Sequence, residues 1–116
     1  MSSNTYDKMP DFIEAIFNVF QFVYKKAQKQ QDERLKMISL VILNYVRKMA
    51  HDNKIDLKLI IEKETINLIP VFEYISYHNI ELYDFSKIDT ADVDTTNNND
   101  LERFVLTHIY YITQTI

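Results

Sequence analysis

No glycine occurs anywhere in these 116 residues. At an average usage of about 7%, roughly eight would stand in a chain of this length. Glycine takes φ > 0 without steric cost and lets the backbone approach a ligand closely. The tight two-residue hairpin turns depend on such residues, so a glycine-free chain is biased away from short β-hairpins and toward helix. The Walker-type phosphate loop, the dinucleotide fingerprint and the G-x-S-x-G nucleophile elbow cannot be written at all.

The deficit has a second source. Alanine stands only at Ala15, Ala27, Ala50 and Ala91, and arginine only at Arg34, Arg47 and Arg103, while Ile, Lys, Asn, Tyr and Phe abound. These are the residues with AT-rich codons. Such a composition is common among small helical accessory proteins of viruses with AT-rich genomes. No motif specifies a family.

Cysteine is also absent. Disulfides, thiolate zinc sites and thiol nucleophiles are therefore excluded. A composition of 47% hydrophobic and 26% charged residues is that of a globular chain. The length suits one domain, expected here as 1–116, with a polar tail over 1–8 and an acidic loop over 86–100. The tail lacks the basic and apolar regions of a signal peptide. The longest nearly apolar run, Met37–Val46, is half the length of a membrane span, so no membrane insertion is expected. An intracellular, cytoplasmic location follows as the expectation, in the cytoplasm or nucleus of a host cell if the source is viral.

Charge is uneven along the chain. Residues 1–58 hold ten Lys/Arg against seven Asp/Glu, and residues 59–116 hold three against ten. A net −4 thus conceals a basic first half and a strongly acidic second half. Such asymmetry steers partners and favours head-to-tail association.

Periodicity predicts a first helix over 10–30. Pro10 suits its first turn, and Asp11, Glu14, Asn18, Gln21, Lys25 and Gln28 form a single polar stripe. The remaining arc is apolar and wider than one packed face, so this helix is either nearly engulfed or meets another chain. Asp32 caps a second helix over 33–51. Its seam is Leu35, Ile38, Ile42, Tyr45 and Met49, widened by Val41 and Val46, with Met37, Leu40 and Leu43 pointing elsewhere, which makes it the expected central, buried helix. Residues 56–78 read mostly as helix, with Pro70 in a first turn, against an α+β alternative with a short hairpin around 55–69. A last helix begins at Asp100 as N-cap, with Leu101, Phe104, Val105, Ile109 and Ile112 on its core side. The expected fold is all-α, a compact bundle of about five helices.

Chemistry-bearing constellations are weak. Asp92 and Asp94 match the first two ligands of an EF-hand loop, but Arg103 occupies the position of the bidentate Glu. His51, His78 and His108 show no short ligand spacing, and His108 falls on an apolar helix side. The carboxylate pairs Glu62/Glu64 and Glu73/Glu81 lack any sign of opposed environments. No metal, cofactor or enzyme activity is expected.

Eight tyrosines and seven phenylalanines are the stronger positive signal. Phe17, Phe22, Tyr24, Leu40, Leu43, Tyr110 and Tyr111 fall outside the main seams and form the candidate interface, because unpaired apolar surface marks protein contact. The expectation is a protein-interaction domain (adaptor, inhibitor or assembly factor) with a protein partner or itself as homodimer. The alternative is a nucleic-acid-binding or regulatory protein using Lys25, Lys26, Lys29, Arg34 and Lys36.

Overall fold

A computed structural model describes residues 8–60, 65–84 and 98–114. The described residues are all-α, without a strand: α1 (Met9–Gln30), α2 (Glu33–Asp52), α3 (Ile69–Tyr77) and α4 (Asn98–Gln114), with a 3-10 turn at Leu57–Leu59. By internal contact the chain divides into two compact units, Met1–Phe72 and Glu73–Ile116.

In the first unit, α1 starts with Pro10 in its first turn and Asp11 beside the positive end of the helix dipole. It ends where Gln31 takes a left-handed conformation at φ 54°. The Asp32 amide reaches back to the Ala27 carbonyl and the Gln31 amide to Gln28, a Schellman closure. Asp32 then caps α2, its Oδ1 accepting from the Leu35 amide at 3.1 Å. One residue therefore follows the end of one helix and opens the next, which turns the chain into an α1–α2 hairpin.

The hairpin core is built from Phe12, Ile16, Val19 and Val23 of α1 with Ile38, Ile42, Tyr45 and Val46 of α2, all nearly inaccessible to solvent. The Phe12 and Tyr45 rings meet edge to face at 6.4 Å. Small residues line this packing as well: Ala15, Ala27, Ser39 and Ala50 are buried. The Ser39 hydroxyl satisfies itself by donating to the Lys36 carbonyl at 2.6 Å.

Several expectations change here. The helix count is four among the described residues rather than five. Residues 53–60 supply only the 3-10 turn, because Lys54 ends α2 in the left-handed region and Asp56 caps a turn at once, accepting from the Lys58 amide. The hairpin alternative around 55–69 finds no strand in 55–60 or 65–69, and 61–64 lie outside the described residues. The second helix is not the buried one. Its inner face keeps Val46 but is rotated from the expected seam toward Ser39 and Ala50, leaving Leu35 and Met49 half-buried and an outer face in solvent. By contrast α1 is buried further round its circumference, its polar stripe reaching the interior at Asn18, 6% exposed, while Asp11, Lys25 and Gln28 stay in solvent.

In the second unit, α4 is the enclosed element. Phe104 through Ile109 are six consecutive buried residues, so every azimuth of that helix is covered. Its first turn begins at Asn98, and Asp100 lies inside it rather than at the cap position. Of the acidic loop expected over 86–100, residues 98–100 are the first turn of α4, while 86–97 with the EF-hand-like residues Asp92 to Asn97, and the pair Glu62/Glu64, lie outside the described residues, as does the Ile112 side chain. Residues 80–84 form an irregular strap along α4. The Tyr83 amide donates to Thr107 Oγ1 at 3.0 Å, and Arg103 Nε donates to the Glu81 carbonyl at 2.7 Å. The Arg103 guanidinium stacks 4.0 Å over the Tyr83 ring. In this extended segment without a partner strand, the Tyr83 amide and the Glu81 carbonyl are thus satisfied by α4 side chains.

Candidate interaction surface

Helical geometry places residues three and four apart on one face. On α2, Glu33, Lys36, Met37, Leu40, Asn44, Arg47 and His51 are all exposed, forming a solvent-facing stripe along the whole helix. Its centre is apolar: Met37 is 54% and Leu40 47% exposed, with Leu43 half-buried beside them. Leucine and methionine on a helix have a full inner face available to them, so their placement outside it leaves apolar area that the hairpin itself does not cover.

The seven predicted interface residues do not form one group. Leu40 and Leu43 occupy consecutive turns of α2. Phe17 and Tyr24 belong to a half-buried aromatic ridge on α1, joined through Phe20 with ring centroids 5.9 and 5.7 Å apart. Phe22 is half-buried on a different azimuth of α1, five residues beyond Phe17. Tyr110 and Tyr111 are half-buried in α4, their rings edge to face at 5.2 Å. Only Leu40 among the seven is exposed, and the other six are half-buried. Periodicity identified the residues that leave the main seams but overestimated how far the aromatic ones reach into solvent.

Exposed apolar residues that the interface expectation did not include are Met37, Leu59 at 78%, Ile69 at 63%, Phe72 at 41% and Tyr77 at 53%. Met37 carried the available signal, because it lies off the α2 seam. Ile69 and Phe72 are three apart on α3, and that spacing is visible in the sequence as well.

The five basic residues gather at the α1–α2 connection, where Lys25, Lys29, Arg34 and Lys36 are exposed and Lys26 is half-buried. Successive helical residues turn by about 100°, so Lys25 and Lys26 on α1, and Arg34 and Lys36 on α2, point in different directions. Asp32 and Glu33 stand exposed among them. Lys25 and Lys29, four apart, share a face of α1, but the five cations do not all line one face.

A polar groove of about 270 Å³ runs between α1 and the 65–70 segment, lined by Asp11, Glu14, Asn18, Thr65, Asn67 and Pro70. It holds two carboxylates and no nucleophile with an adjacent base. No cluster of three or more metal-type side chains stands together among the described residues. The histidines are separate: His51 is 90% exposed and pairs with Asp52. His78 Nδ1 lies 3.2 Å from the Tyr74 carbonyl, and its ring stacks on Tyr74 at 4.2 Å. His108 is buried, with Nδ1 2.9 Å from the Phe104 carbonyl and its ring against Phe104. Each histidine is engaged within its own turn or with its neighbour. No helix among the described residues is long and apolar enough to cross a membrane.

Against known protein families, curated proteins and solved structures, the chain finds no match.

Proposed function

We propose that this chain is a non-enzymatic protein–protein interaction domain that acts stoichiometrically, as an adaptor, inhibitor or assembly factor, through the outward face of α2. The observation that supports this reading is the exposure of Met37 and Leu40 at the centre of that face, because contiguous exposed apolar surface rimmed by polar residues marks a docking site. The rim here is Glu33, Lys36, Asn44 and Arg47. An apolar centre supplies affinity on desolvation, and a charged rim supplies orientation and partner choice. The AT-rich coding bias suits an accessory protein of a virus with such a genome, working in the cytoplasm or nucleus of its host cell. Nucleic-acid binding by Lys25, Lys26, Lys29, Arg34 and Lys36 has less support, because the five cations do not share one face and the exposed Asp32 and Glu33 stand among them.

The test compares the full chain with a Met37→Lys/Leu40→Lys variant in affinity capture from cells, with bound proteins cross-linked before washing. Both substitutions replace exposed side chains, so circular dichroism should show unchanged helicity. A discrete set of captured proteins, a second copy of the chain included, should disappear with the variant. Capture that is identical for both proteins, or absent for both, would count against the reading.

A further inference from the structure

The outward stripe of α2 reads as complementary to itself when reversed. Taking Leu40 as centre, Glu33 stands seven residues before it and Arg47 seven residues after it. Seven residues make nearly two full turns, so all three fall on one line along the helix, with about 10 Å between neighbours. Inside them, Met37 and Leu43 stand three residues to either side, and Lys36 and Asn44 four residues to either side. The outermost pair is matched, acid with base, about an apolar centre at Leu40, while Met37 and Asn44 share one edge of the line and Lys36 and Leu43 the other. Glu33, Arg47, Lys36 and Asn44 are exposed. No ion pair joins Glu33 or Arg47 to another of the described residues.

We infer that this face is a homodimer interface on which a second copy of the chain docks α2 antiparallel, with Leu40 on the two-fold axis. The inference rests on the interaction reading above and names the partner. In that arrangement Leu40 packs on its own copy, Met37 on one edge lies beside Asn44 of the partner subunit, and Leu43 on the other edge lies beside Lys36 of the partner subunit. Glu33 meets Arg47 of the partner subunit, and symmetry makes that ion pair twice. A parallel arrangement instead stacks Glu33 on Glu33 and Arg47 on Arg47, which like-charge repulsion opposes. An isologous interface needs a patch complementary to itself under a two-fold, and this stripe has that property. An α2 of 20 residues is about 30 Å long. A single helix pair of that length buries less than a standard-size interface, so the dimer is weak and reversible.

Sedimentation equilibrium on the purified full chain, between 1 and roughly 500 μM, tests this. The wild type should shift with concentration from 13.9 kDa toward twice that mass. Leu40→Lys should hold it at the monomer mass, since two ammonium groups would meet on the axis. Glu33→Arg and Arg47→Glu should each weaken association about tenfold, because each turns two attractions into two repulsions. The double variant Glu33→Arg/Arg47→Glu should recover affinity to within about threefold of wild type. A wild type monomeric throughout, a dimer indifferent to Leu40→Lys, or a double variant no tighter than the singles would overturn the inference. A monomeric wild type that still captures a different protein through Met37 and Leu40 would remove the second copy and leave the interaction reading standing. Loss of both would remove both.

Discussion

At the scale of single residues, the absence of glycine leaves a physical trace. Three helices end in the same left-handed closure, with Gln31, Lys54 and Asn79 at φ 54°, 57° and 52°. In each case the following amide bonds back across the turn: Asp32 to Ala27, Ile55 to Ala50 and Ile80 to Ile75. That position usually holds glycine, because a Cβ in the left-handed region crowds the adjacent carbonyl. Asparagine tolerates it best, so Gln31 and Lys54 store the larger strain. Replacing either with glycine removes that strain, at the expense of a more flexible unfolded chain. Gln31→Gly and Lys54→Gly should each stabilise the protein by about 0.5–1 kcal/mol, raising Tm by roughly 2–5 °C. Asn79→Gly should give less. Thermal denaturation followed by circular dichroism measures all three, and a fall in Tm for Gln31→Gly and Lys54→Gly would contradict the strain argument. The C-terminal closures were not read from the sequence, since lysine and glutamine carry no signal for φ > 0.

At the scale of elements, caps and prolines were the legible features. Pro10 and Asp32 set the starts of α1 and α2 where expected, and Pro70 lies in the first turn of α3. Asn67 supports that start, its Oδ1 accepting from the Ile69 amide. Which face of α2 turns inward was less legible. The expected seam and the observed face share Ile38, Ile42 and Tyr45, but the small residues Ser39 and Ala50 draw the packing around to their side, because they allow close approach of backbones. Hydrophobicity alone gives a serine no claim to the core. Ile42→Ala should therefore cost about 2–5 kcal/mol, as a fully buried truncation. Leu40→Ala, two residues away and exposed, should change monomer stability by less than about 0.5 kcal/mol. Urea denaturation of the two variants at low micromolar concentration checks the contrast, and comparable losses for both would show that Leu40 is packed within the monomer.

At the scale of the whole molecule, the charge asymmetry follows the division of the fold. Residues 1–72 hold eleven Lys/Arg against nine Asp/Glu, and residues 73–116 hold two against eight. The acidic half is thus the unit built on α4, and the nearly balanced half is the α1–α2 hairpin. Each unit has one helix more deeply buried than the other elements, α1 in the first and α4 in the second. Amide protection should reflect this. Native-state hydrogen exchange should find the slowest amides in 12–23 and in 104–109, with faster exchange along the outward stripe of α2 and around 57–59. Uniform protection of α1 and α2 would mean that the outer face of α2 is covered in the monomer.

Helix content, helix starts and the exclusion of glycine- and cysteine-dependent chemistry were determined by the sequence alone, because they rest on local backbone preference and on residues that are present or missing. Tertiary structure decided which helix is enclosed. A helix with apolar residues on more than one azimuth can be either central or half-open, and its own pattern does not distinguish the two cases. α2 carries such a pattern and keeps Met37 and Leu40 in solvent, while α4, which looked one-sided, is buried on every side from Phe104 to Ile109. Burial depends on what packs alongside, and that neighbour is supplied by chain segments distant in sequence.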